Sequence, residues 1–139
     1  MHKPALLLLL ASLGACASPL PTPDPNQAWV ELRSDPGTTL MANRQDGERT
    51  RDGRFYQLSP GAHELETRFQ FDIPGGGGFN TSSGPTQLTC HIRFRYDGFV
   101  AGQRYRLEAR PVVMSAQALL RDAQGQVVAR GDVLGCGPL

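Results

Sequence analysis

The chain of 139 residues is long enough for one ordinary domain, and its 40% hydrophobic and 19% charged residues fit a globular protein. Its 16 glycines and 11 prolines indicate many turns and argue against an architecture of long helices. Lys3 is the only lysine among 14 basic residues, so beyond the leader arginine alone balances 13 acidic residues. This balance excludes net charge as an argument for nucleic-acid binding, and it removes lysine-based chemistry from consideration.

The first 16 residues have the layout of an export signal. A positive start with Lys3 precedes the apolar stretch Leu6–Ala11, and small residues then lead to a cysteine. Leu13-Gly14-Ala15-Cys16 resembles the lipobox of bacterial lipoprotein precursors. The resemblance implies removal of the signal peptide 1–15 and acylation of the Cys16 thiol and amine. The alternatives are an ordinary secretory signal and a transmembrane anchor, for which the apolar run is shorter than the ~20 residues needed.

The residues after the cysteine predict a membrane address and a tether. Ala17 and Ser18 follow Cys16, whereas enterobacterial lipoproteins retained in the inner membrane carry Asp there. The resemblance therefore implies a lipid anchor in the outer membrane, on its periplasmic side, with the inner membrane as the alternative. Alternating prolines in the segment 16–27 favour an extended spacer. We expect this lipidated tether to hold a domain, residues 28–139, off the lipid surface.

Short alternating segments predict strands in the first half of the domain. The first predicted strand is Ala28–Arg33, which ends at the turn Asp35-Pro36-Gly37. Two further strands are predicted at Thr38–Asn43 and Phe55–Leu58. Ala62–Phe71 alternates with period two, placing apolar side chains on one face and charged ones on the other.

The second half repeats this pattern. Leu88–Tyr96 and Arg104–Arg110 also have one apolar and one polar face. Gln117–Leu120 and Gln126–Ala129 predict a last hairpin, although Ser115–Asp122 alone would also fit two turns of helix. Together the segments predict an all-β fold, a single antiparallel β-sandwich of about seven strands, with a small barrel as the alternative.

Two cysteines remain once Cys16 is acylated. Cys90 and Cys136 form an even pair in an oxidising compartment, which predicts a disulfide bond. A competing thiol site of Cys90 with His91 is disfavoured because adjacent strand residues point to opposite faces.

The sequence offers few groups for catalysis. His63 and His91 are the only histidines beyond the leader, and we expect both to be solvated strand residues. The glycine-rich stretch 74–85 lacks the Lys-Ser/Thr of a phosphate-binding loop and is predicted to be a flexible connection. No set of nucleophile, base and orienting group can be named, so no enzyme, cofactor or metal site is predicted.

One surface could bind a partner. If the three alternating strands are neighbours, their polar sides form a candidate basic face. Its members are Arg68, Arg93, Arg95, Arg104, Arg106 and Arg110. Such a face could bind anionic lipid, lipopolysaccharide or an acidic envelope protein. The alternative is ordinary cross-strand pairing of arginine with glutamate.

The folded part also resembles known proteins. The turn Leu58-Ser59-Pro60-Gly61-Ala62-His63 and the segment Gly102–Leu107 resemble motifs of small proteobacterial lipoproteins without a known activity. The Pro-Gly turn is similar to that of PEGA modules, which implies a transthyretin-like sandwich. The sequence thus predicts a non-enzymatic binding or structural module of the cell envelope. The alternative is a periplasmic enzyme inhibitor or immunity-type lipoprotein.

Overall fold

Alternating burial along short strands produces two sheets. The computed structural model describes residues 18–74 and 86–138, and within these ranges the chain is all-β with no helix. The strands are β1 (Ala28–Ser34), β2 (Thr39–Gln45), β3 (Glu48–Arg49), β4 (Phe55–Leu58), β5 (Gly61–Ile73), β6 (Thr86–Phe99), β7 (Arg104–Val112), β8 (Ser115–Arg121), β9 (Val127–Arg130) and β10 (Asp132–Gly137). Sheet A has the order β4-β1-β7-β8-β9, and sheet B has the order β10-β6-β5-β2-β3.

The core lies between the apolar sides of the two sheets. Every second residue of β5 and β6 is buried over most of their length, as the period-two pattern predicts. Sheet A contributes Val30, Tyr56, Leu58, Leu107 and Leu120, and sheet B contributes Leu65, Phe69, Ile92 and Phe94. Burying a side chain of this size contributes ~1.5–3 kcal/mol, so the core side chains supply the main drive for folding.

Two details of the predicted sandwich are wrong. There are ten strands rather than seven, because short strands such as β3 and the glycine-containing β10 carry too little pattern to predict. The sandwich is also not purely antiparallel, since β1 pairs with β7 in parallel from Trp29 opposite Arg104 to Ser34 opposite Ala109. Partners so far apart in sequence cannot be identified from local patterns. The predicted last hairpin is confirmed as β8 and β9.

The chain passes from sheet A to sheet B at Gly131. This residue stands between β9 and β10, and its N–H donates to the Ala118 carbonyl at 2.8 Å. A Cβ atom built on Gly131 would lie 2.5 Å from Ile92 Cγ2 and 2.9 Å from Phe94 Cζ. The crossing therefore needs a residue without a side chain.

The described part of the proline-rich segment lies against the domain. The Asp24 N–H donates to Gln57 Oε1 at 3.0 Å. Arg54 Nη1 donates to the Ser18 carbonyl at 2.8 Å, and the Gly102 N–H donates to the Gln27 carbonyl at 2.9 Å. Ser18, Asp24 and Gln27 are thus hydrogen-bonded to the domain, while most of residues 18–27 are exposed. Over residues 18–74 and 86–138 no helix is long and apolar enough to cross a membrane.

Candidate functional site

The six arginines of the candidate basic face do not form one surface. Arg68 lies on β5, and Arg93 and Arg95 lie on β6, all in sheet B. Arg104, Arg106 and Arg110 lie on β7 in sheet A, so the outer faces that carry the two groups point in opposite directions. The prediction assumed that the three alternating strands are neighbours, which holds for β5 and β6 but not for β7.

Acidic and basic residues alternate on the outer face of sheet B. Arg95 Nε is 2.8 Å from Glu64 Oε2. One row of paired positions alternates in charge across four strands, in the order Arg44, Glu66, Arg93, Asp132. Cross-strand pairs of opposite charge stabilise a sheet, and the pair of Arg95 with Glu64 fits the alternative of cross-strand pairing. Arg93 differs, because within the described part of the chain its buried Nε has no hydrogen-bond partner.

Sheet A has an open groove on its outer face, about 640 Å³ in volume. It is lined by Arg33, Ser34, Asp35, Glu108, Ala109, Arg110, Gln117, Leu119 and Arg121. Arg121 Nε contacts Glu108 Oε2 at 3.1 Å. Arg110 Nε instead donates to the neutral Gln117 Oε1 at 2.8 Å, and among residues 18–74 and 86–138 no carboxylate lies within 4 Å of its guanidinium. The groove is therefore basic at Arg110.

An apolar turn extends beyond this groove. Val112 pairs with Ser115, so Val113 and Met114 form a two-residue loop between β7 and β8. The side chains of Val112–Met114, which we call the hairpin tip, are exposed: Val113 retains 86% of its accessible surface and Met114 62%. Val113 has a φ of 54°, in the left-handed region that β-branched residues rarely adopt. A strained backbone thus presents an apolar side chain to solvent.

A second cluster surrounds His63, whose predicted solvation is wrong. Only 10% of its side chain is exposed. Its Nδ1 is 2.6 Å from Asp46 Oδ2, and its Nε2 is 2.7 Å from the Ser59 carbonyl and 3.2 Å from Ser59 Oγ. A register shift between Gly61 and His63 accompanies this placement. His91 differs, because 43% of its side chain is exposed.

The His63 cluster contains Ser, His and Asp, but its hydrogen bonds do not suit base catalysis. The Ser59 carbonyl can only accept a hydrogen bond, and it lies closer to Nε2 than the Ser59 hydroxyl does, so it competes for the ring position that a general base would use. Partial burial raises the pKa of the Asp46 carboxyl, but hydrogen bonds from the Glu64 N–H and from His63 outweigh it, and the net pKa lies below 3.8. The cluster joins the turn after β2 to the turn before β5.

The remaining predicted residues are the cysteines. Cys90 and Cys136 are opposite each other on β6 and β10, with their sulfur atoms 2.04 Å apart, the distance of a disulfide bond. Cys16 and all of the glycine-rich stretch except Pro74 lie outside the described residues. Within the described ranges no group of three or more His, Cys, Asp or Glu residues could hold a metal ion.

Comparisons with protein-family models, curated proteins and solved structures found no match. The groove, the hairpin tip and the His63 cluster are the features of the described residues that bear on function.

Proposed function

We propose that the chain is a membrane-anchored lipoprotein of the bacterial envelope, and that its sandwich is a non-enzymatic binding or structural module. The observation that carries the proposal is the tetrapeptide Leu13-Gly14-Ala15-Cys16 at the end of an apolar leader. Ser18, only two residues after Cys16, is already hydrogen-bonded to Arg54. Acylation at Cys16 would thus attach the lipid directly at the edge of the domain.

The hydrogen bonds of the His63 cluster support a non-enzymatic role. A serine nucleophile needs a base with a free lone pair, and the Ser59 carbonyl engages His63 Nε2 at 2.7 Å. The groove of sheet A is open and polar, and it joins an exposed apolar tip rather than a closed pocket. An open groove and an exposed tip are features of a surface that binds a partner without enclosing it.

The anchor is tested on protein extracted from membranes. The intact mass should correspond to a chain that begins at Cys16 and carries acyl groups, and a labelled palmitate analogue should be incorporated. Cys16→Ala should abolish labelling and leave the leader attached, whereas the control Cys90→Ala/Cys136→Ala should still be labelled. A non-acylated product from the wild type, together with normal cleavage of Cys16→Ala, would contradict the proposal.

The membrane address has its own test. We propose the outer membrane because Ala17 and Ser18 follow the cysteine. After separation of envelope membranes by density, the wild type should accompany the outer-membrane fraction. Ala17→Asp should shift the protein to the inner membrane. If the wild type is already found in the inner membrane, this part of the proposal is wrong.

A further inference from the structure

We propose that the hairpin tip inserts into the surface of the bilayer that holds the lipid anchor, and that Arg110 binds anionic headgroups beside it. The proposal rests on the anchor at Cys16 proposed above. It assigns a lipid surface as the partner of the sheet A groove and of Val112–Met114. A protein partner at the tip is the competing outcome of the test below.

The first argument is the chemistry of the turn. Glycine or asparagine adopts a φ of 54° at little cost, and a polar residue would suit an exposed position, yet Val113 occupies it. Neither backbone conformation nor solvation explains a valine at 86% exposure. Strain retained at an exposed position is a reason to look for a function of that side chain. Transfer of Val113 and Met114 from water into lipid would supply one.

The second argument is the direction of the tether. Ser18 is held at Arg54, just before β4, and Asp24 is held at Gln57, near its end. β4 is antiparallel to β1, with Phe55 opposite Glu31 and Leu58 opposite Ala28. The segment followed from Asp24 back to Ser18 therefore runs in the same direction as β1. Because β7 runs parallel to β1, that direction leads toward the hairpin tip.

The short connection between Ser18 and the anchor keeps the part of the domain around Ser18 near the bilayer. Only Ala17 separates Cys16 from Ser18, so the two residues are at most ~7 Å apart. Arg106 of β7 and Phe55 of β4 are level with each other, because both pair with Glu31. From Arg106 the hairpin tip lies about 23 Å further along β7, and β4 and β7 are about 10 Å apart across the sheet. The anchor and the tip therefore reach one membrane plane when the strands of sheet A tilt by about 60° from the bilayer normal, so that the β4 side of the sheet faces the bilayer.

The third argument is charge. Arg110 is two residues before the tip, and its guanidinium contacts a neutral amide rather than a carboxylate within the described part of the chain. Arg33, also at the groove, has its Nε 3.7 Å from Glu31 Oε1 and is largely exposed. An apolar tip flanked by arginine is the arrangement of peripheral proteins that insert into anionic interfaces.

The test measures depth in the bilayer. The purified acylated protein is reconstituted in vesicles of phosphatidylethanolamine and phosphatidylglycerol with an environment-sensitive fluorophore on Val113→Cys. The control carries the same fluorophore on Val100→Cys, an exposed valine at the other end of the sandwich. Quenching by brominated acyl chains should be about fivefold stronger at position 113 than at position 100. Equal, weak quenching at both positions would overturn the proposal.

A second variant separates insertion from folding. With the fluorophore on Met114→Cys, the added change Val113→Asn should reduce lipid quenching severalfold while thermal stability is kept or raised, because Asn tolerates a positive φ. A probe that stays aqueous in vesicles but is protected in native membranes would identify a protein partner and overturn the lipid assignment. The intact mass of the same sample reports acylation. Acylated protein with an aqueous probe contradicts the tip alone, whereas non-acylated protein contradicts the anchor and this proposal together.

Discussion

Gly131 is packed too closely against the core to accept a side chain. A Cβ atom there would lie 2.5 Å from Ile92 Cγ2, 2.9 Å from Phe94 Cζ and 3.1 Å from Ala118 Cβ. We expect Gly131→Ala to lower the free energy of unfolding by ~1–3 kcal/mol, because a core that is already filled must move. The matched control is Gly135→Ala on β10, where a Cβ atom would meet nothing within 4 Å. Urea unfolding midpoints would test this, and equal midpoints for the two variants would contradict it.

Asp46 makes the free energy of unfolding depend on pH. Its pKa lies below 3.8 in the folded protein, so its contribution is present above about pH 3.8 and is lost as pH falls through the folded-state value. We expect Asp46→Asn to be ~0.5–1 kcal/mol less stable at pH 7, a value reduced for an exposed side chain, and the difference to shrink toward pH 3. Asn tolerates the φ of 50° at this position.

Urea unfolding of wild type and Asp46→Asn at pH 7, 5 and 3 provides the measurement. Asp72→Asn removes the same charge from an exposed position of β5 and serves as the control. A stability difference that is constant across this range would show that the carboxylate is not responsible.

Strands were predictable where their pattern is local. The alternation in β5, β6 and β7 follows from side chains pointing to opposite faces, so the sequence alone indicates which residues are buried. Pairing is a different matter, because β2 lies beside β5 and β1 beside β7. No local signal specifies those neighbours. The prediction that six arginines share one face was wrong because it required β7 to lie beside β5 and β6.

At the level of elements, β10 depends on its covalent link. It is an edge strand of six residues, has a register shift between Val133 and Gly135, and is joined to β6 through Cys90 and Cys136. Cys90→Ala/Cys136→Ala should lower the free energy of unfolding by ~3–4 kcal/mol, from the loss of a cross-link between residues 46 apart.

Hydrogen exchange would localise that effect. Amides of β10 should lose protection in the double alanine variant well before those of β5, the central strand of sheet B. Treatment of the wild type with a reductant should reproduce the pattern. If β10 stays as protected as β5, the strand is held by its backbone pairing alone.

The functional geometry belongs to the whole molecule. Asp46 reaches His63 because Gln45 of β2 pairs with Leu65 of β5, which brings together residues that the sequence separates by two intervening strands. An Asp-Gly dipeptide is a common turn signal, but nothing local in the sequence indicates that His63 lies beside it. The groove likewise combines residues of β1, β7 and β8. Assembled surfaces of this kind depend on topology, whereas the leader and its cysteine are a continuous motif.

The division of the arginines between opposite faces gives a final prediction. Arg110 lies near the hairpin tip without a carboxylate among its described contacts, whereas Arg95 lies on sheet B and is 2.8 Å from Glu64. Arg110→Glu should therefore weaken tip insertion into vesicles containing phosphatidylglycerol by ~1–2 kcal/mol, while Arg95→Glu should leave it unchanged. The readout is lipid quenching of a fluorophore on Val113→Cys, with and without the anionic lipid. Equal effects of the two reversals would mean that net charge, and not the face of sheet A, governs contact with the membrane.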